Sequence, residues 1–215
     1  MAGKILSLIY KDFRVELRRK HEILASLAFV SVASLAMSLF AYRSLIPEFV
    51  VPSLWLFTLF IGIFVSMITF ISEYDKHTLE GLRLLPLRPS TIFFAKTIYS
   101  YLITLFESLV ALIMLSIFSS TYILFKPEIV VVLLLFTLYI SSISSFTSML
   151  VMYSEGRSFL IPVLIFILSV PMLLPLVSVS MPMIPFNIMD VYLLLAGTSS
   201  FFFVALTLSE YVLEV

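Results

Sequence analysis

Six apolar runs, each long enough to cross a bilayer, constrain this chain more than any motif does. A hydrocarbon core of about 30 Å needs roughly 20 apolar residues wound as a helix. Runs of that length lie at approximately Ile23 to Tyr42, Val51 to Ile71, Ile92 to Phe118, Ile129 to Met152, Phe159 to Ser178 and Val191 to Leu208. Hydrophobic residues make up 61% of the chain and charged ones 12%, with a mean hydropathy of +1.17, so a soluble domain is excluded. The expected fold is all-α: a polytopic membrane protein of six transmembrane helices forming one domain over residues 1–215. In the fifth run, Pro162, Pro171 and Pro175 remove backbone donors and are expected to kink or shorten the helix. Beyond it, Met181 to Asp190, with Pro182, Pro185 and Asn187, is expected to dip into the membrane edge as a short re-entrant element.

Before the first run, Ile5, Ile9, Phe13 and Leu17 recur every fourth residue, and Lys4, Lys11, Arg14 and Arg18 gather on the opposite side. Residues 4–20 therefore read as an interfacial amphipathic helix lying on anionic headgroups. The run that follows is long enough to span and shows no small-residue cleavage site, so it reads as a retained helix and not a removed signal.

Orientation follows from the basic residues. A cytoplasmic N-terminus puts eleven lysines and arginines inside and only Arg43 and Lys126 outside, and six crossings return the C-terminus to the cytoplasm. The net charge of zero gives no reason to expect a nucleic-acid partner. The absence of cysteine excludes thiolate metal sites and cysteine nucleophiles. No phosphate loop, nucleophile elbow or pair of histidines at ligand spacing is present, so the chain neither hydrolyses ATP itself nor carries a familiar catalytic motif. Its histidines, His21 and His77, both fall in cytoplasmic segments, and Trp55 reads as an outer interfacial anchor.

Residues 73–96, from Glu73 to Lys96, form the one long polar interval between spans. Leu79, Leu82, Leu84 and Leu85 interleave with Glu80 and Arg83, and Pro86 and Pro89 are expected to stop any helix. This reads as a short amphipathic cytoplasmic helix whose leucines need lipid headgroups or a partner protein to cover them. The competing reading is a loop whose leucines pack back on the helix ends. Within the spans, Glu107 is the one deep ionisable residue, and it reads either as part of a pathway or latch or as a structural hydrogen-bonding group. Its expected partners are the hydroxyls of the fourth span: Ser141, Ser142, Ser144, Ser145, Thr147 and Ser148. Their small-xxx-small spacing also permits close helix approach.

These residues resemble the membrane subunit of the cytochrome c maturation ABC transporter, the heme exporter protein B family written CcmB. Lys11-Asp12-Phe13-Arg14-Val15-Glu16-Leu17-Arg18-Arg19-Lys20 is similar to the family's opening of a lysine, an acid and alternating arginines. Glu73, Asp75, Leu79, Glu80, Gly81, Leu82, Leu84, Leu85, Pro86, Arg88, Ser90 and Lys96 resemble its cytoplasmic stretch. Tyr74 stands where an arginine is usual and His77 where a glycine is usual. Glu107, Arg157 and the three prolines of the fifth span also resemble the family, whereas the last span carries no signature.

The resemblance implies an ABC exporter permease in the prokaryotic inner membrane, itself non-catalytic and coupled to a separate CcmA-like ATPase. It further implies a CcmC-like haem-handling protein and a CcmE-like haem chaperone as partners. Coupling to the ATPase is expected through Glu73, Asp75, Leu79, Glu80, Gly81, Leu82, Arg83, Leu85 and Pro86, with Leu79, Leu82 and Leu85 filling a groove and Glu80, Gly81 and Arg83 setting register. No cofactor is expected to be bound directly: haem enters as transported or chaperone-bound ligand, and ATP acts through the partner. A permease for a lipid, drug or glycan, and a non-transporting membrane scaffold, are the alternative readings.

Overall fold

The computed structural model describes residues 2–18, 20–44, 49–84, 87–119, 125–180 and 188–214, and among them every regular element is helical. In chain order these are α1 (Ala2–Arg18), α2 (Lys20–Ser44), α3 (Val50–Ile68), α4 (Phe70–Asp75), α5 (Leu79–Arg83), α6 (Pro89–Ser119), α7 (Pro127–Val151), α8 (Arg157–Ser180) and α9 (Ile188–Glu214). Six spans result: α2, α3 continued by α4, α6, α7, α8 and α9. The chain is a polytopic all-α membrane protein. Residues 181–187, most of the expected re-entrant element, lie outside the described residues, and 188–190 form the first turn of α9.

Burial sorts the spans into layers. In α3 and α7 nearly three quarters of the side chains are buried, whereas α2, α8 and α9 show most of theirs to the surroundings, as lipid-facing helices do. α6 lies against α2, α3, α7 and α9 and so ties the outer helices to the inner ones. α1 rests across α6, with Leu8 and Asp12 buried and Leu6, Tyr10 and Arg14 outward.

The hydroxyls of α7 explain how its neighbours pack so closely. At Gly62 of α3 a Cβ would come within 2.3 Å of Ile140 Cγ2, so only glycine permits this approach. Ser144 Oγ then donates to the Gly62 carbonyl at 2.8 Å. About two turns on, the backbone breaks at Thr69 (φ −80°, ψ −100°), which leaves the first amides of α4 without helical acceptors. Ser148 Oγ accepts both, from Phe70 N at 3.0 Å and Ile71 N at 3.2 Å. This break redirects the end of the second span and places Glu73 and Asp75.

Prolines shape the helices at two places. Pro89 does not stop a helix but starts α6, at the first position, where its missing donor is harmless. α8 runs unbroken through Pro162, Pro171 and Pro175. In the turn that Pro171 disturbs, the Tyr139 hydroxyl of α7 donates to the Leu168 carbonyl at 2.6 Å, so a neighbouring helix supplies a bond of the kind that proline removes.

Candidate functional site

The polar interval folds into a hairpin of α4, a turn and α5, mounted on the end of the bundle where α1 lies. His77 turns the chain with φ 53°, a left-handed conformation that favours glycine, and its amide donates to the Tyr74 carbonyl at 3.0 Å. Thr78 N donates to the Glu73 carbonyl at 3.0 Å, and the Thr78 carbonyl accepts from Leu82 N at 3.0 Å. The Thr78 hydroxyl closes the hairpin by donating to the Glu73 carboxylate.

Glu73 does not face outward, as a docking residue must. It is buried at the centre of an ion cluster that joins three elements. Its Oε1 accepts from Lys96 Nζ of α6 at 3.0 Å and from Lys11 Nζ of α1 at 2.9 Å. Asp12 completes the cluster, with Oδ2 at 3.0 Å from Lys96 Nζ and Oδ1 at 3.3 Å from Lys11 Nζ. Two ammonium groups thus balance two carboxylates, and Lys96 is only 2% exposed. Burial pushes the Lys11 ammonium down, but the Asp12 and Glu73 carboxylates outweigh it and hold that group above its ordinary value. Breaking a buried set of this kind leaves an uncompensated charge and costs about 3–5 kcal/mol.

Asp75 makes a second link. Its carboxylate meets Arg157 Nη2 at 2.7 Å, and the same guanidinium lies 5.9 Å from the centre of the Tyr74 ring, which packs edge-on against Tyr153 at 5.3 Å. The hairpin is therefore bolted on one side to α1 and α6 and on the other to the start of α8.

The expected coupling residues divide accordingly. Leu79 and Leu82 are buried within this chain, so they hold the hairpin to the bundle instead of lying free for a partner's groove. Gly81 is exposed with open space around it, and Leu84 is 86% exposed. Glu80 and Arg83 lie on α5, but their side chains, like Leu85 and Pro86, fall outside the described residues.

Glu107 sits deep in α6 and is 1% exposed. Its partner is not the serine cluster of α7 but Ser26 of α2, whose Oγ donates to Oε1 at 2.6 Å. Ser141 and Ser142 instead bond back to the Leu138 carbonyl of their own helix. Glu107 and Ser26 line a cavity of about 430 Å³ between α2, α3, α4, α6 and α8, and Asp75 and Arg157 also line it.

Sequence reasoning missed the ion cluster, although one signal was present. Asp12 falls at the fourth place of the apolar stripe Ile5, Leu8, Ile9, Asp12, Phe13, and an acid on a buried stripe demands a cationic partner.

Comparison with known proteins agrees with this architecture. No curated protein matches the chain. The family described as CcmB protein matches residues 3–214, which takes in α1, the hairpin and all six spans. The chain belongs to the CcmB family, and is thus a membrane component of the haem exporter of the cytochrome c maturation system.

Proposed function

We propose that this chain is the permease half of an ABC exporter, and that the α4–α5 hairpin receives the stroke of a separate CcmA-like ATPase. The observation that carries this reading is the mounting of the hairpin. Glu73, Leu79 and Leu82 are buried on its inner side, while Gly81 and Leu84 are exposed on its outer side. A partner that seats on this outer side bears on α1, α6 and α8 together, because the ion cluster and the Asp75–Arg157 pair link the hairpin to all three. A partner that prefers one position of the hairpin in each nucleotide state biases the bundle between two arrangements.

On this reading the α1 end of the bundle is cytoplasmic, as the distribution of basic residues also suggests. The membrane is the prokaryotic inner membrane, where CcmC-like and CcmE-like proteins are the further partners. The output is haem export or release of the haem-loaded chaperone. Both histidines of the chain lie in segments on the cytoplasmic side, which favours the second: the chain transmits force, with haem held by its partners.

Replacing Leu84 with Asp tests the contact. The variant should keep the stability of the parent chain and lose co-purification with the ATPase. Leu82→Asp should instead unfold the hairpin, because it buries an unpaired carboxylate. Retention of the ATPase by a folded Leu84→Asp chain refutes the proposed surface.

A further inference from the structure

The cavity beside Glu107 has the features of a ligand site. Glu107 Oε1 accepts from Ser26, but Oε2 is buried with no hydrogen-bond partner among the described residues. An acceptor left so is costly, and more so when it is charged. The walls beside it are apolar, with Phe64, Ile68 and Ile161 among them, and the volume of about 430 Å³ falls in the range of small-molecule pockets. Ala25, Phe64 and Met67 line the cavity and are exposed, so it opens at the side of the bundle that faces lipid. Of its ionisable lining groups, Glu107 and Asp75 are acids and Arg157 is a base already engaged by Asp75, so the acid without a counter-charge is Glu107.

We propose that this cavity binds the protonated amine of an amphiphile that enters from the bilayer, with its ammonium on Glu107 and Ser26 and its apolar body along Phe64, Ile68 and Ile161. The ammonium supplies the donor that Oε2 lacks and neutralises the acid in apolar surroundings, where a neutral alcohol supplies only the hydrogen bond. A fatty acid is repelled. The source of the amine is either a membrane aminophospholipid or a free alkylamine. The proposal does not rest on which partner seats on the hairpin, although Asp75 and Arg157 belong to both the cavity and the hairpin's mounting.

Photolabelling tests it. The full chain in phosphatidylglycerol nanodiscs is labelled with a diazirine-bearing dodecylamine, and the modified residues are mapped by mass spectrometry. Labelling should fall on residues 23–26 and 64–71, and dodecylamine should compete while dodecanol and dodecanoate do so weakly or not at all. Glu107→Gln should weaken competition by roughly tenfold or more, the loss of one charge-assisted bond. Ala25→Trp fills the cavity from its lip without touching the carboxylate and should remove the labelling even if the Gln variant folds poorly. Exchange into phosphatidylethanolamine nanodiscs distinguishes the sources: reduced labelling assigns the lipid headgroup, and undiminished labelling assigns a free amine. Labelling spread over the lipid-facing helices, or equal competition by amine and alcohol, overturns the proposal.

Discussion

At the scale of the residue, Lys96 makes the sharpest demand. It sits near the start of an apolar span, is almost fully enclosed, and has Asp12 and Glu73 both within 3.0 Å as its counter-charges. Lys96→Met should therefore destabilise the chain by about 3–5 kcal/mol, since two buried carboxylates then face Lys11 alone. Adding Asp12→Asn restores the balance of charge and should recover part of that loss. Thermal unfolding in detergent measures both, and an unchanged midpoint for the single variant removes the cluster from the account. Little of this was legible beforehand, because the partners are 84 and 23 residues from Lys96 and no local pattern reports such pairings. Only Asp12, an acid on an apolar stripe, carried a hint. Glu107 was legible as an oddity, but its partner was not: the density of hydroxyls in α7 drew attention, whereas the single Ser26 of α2 makes the bond.

Elements were read more accurately than contacts, for a physical reason. Length and hydropathy decide whether a segment can span, and all six spans follow from them. The break at Thr69 was invisible, since it depends on a serine hydroxyl 78 positions from Phe70 in the chain. The coupling stretch was anticipated as an amphipathic helix, but α5 is only five residues long and buries Leu79 and Leu82, while Leu84 beyond it is exposed. Helix approach gives a test at this scale. Gly62→Ala forces Ile140 and Ser144 away from α3 and should cost about 1–3 kcal/mol, as overpacking does. Gly81→Ala is its control: nothing lies within 4 Å of the added methyl, and helix propensity favours alanine, so stability should hold or rise by up to about 1 kcal/mol. Equal effects at the two glycines contradict close packing of α3 on α7.

For the whole molecule, the ion cluster and the Asp75–Arg157 pair link the hairpin to α1, α6 and the start of α8 at one end of the bundle. Family membership places the chain in the haem-exporting system, and the outer side of the hairpin at Leu84 is the proposed point at which a motor protein takes hold. Because the chain has no cysteine, Leu84→Cys introduces a single reporter at that point. Labelling it with a membrane-impermeant maleimide, in inside-out and right-side-out vesicles with and without the ATPase subunit, tests the central claim most directly. The account predicts labelling in inside-out vesicles only, and protection when the ATPase is bound; labelling from the opposite face, or full reactivity in the presence of bound ATPase, contradicts it.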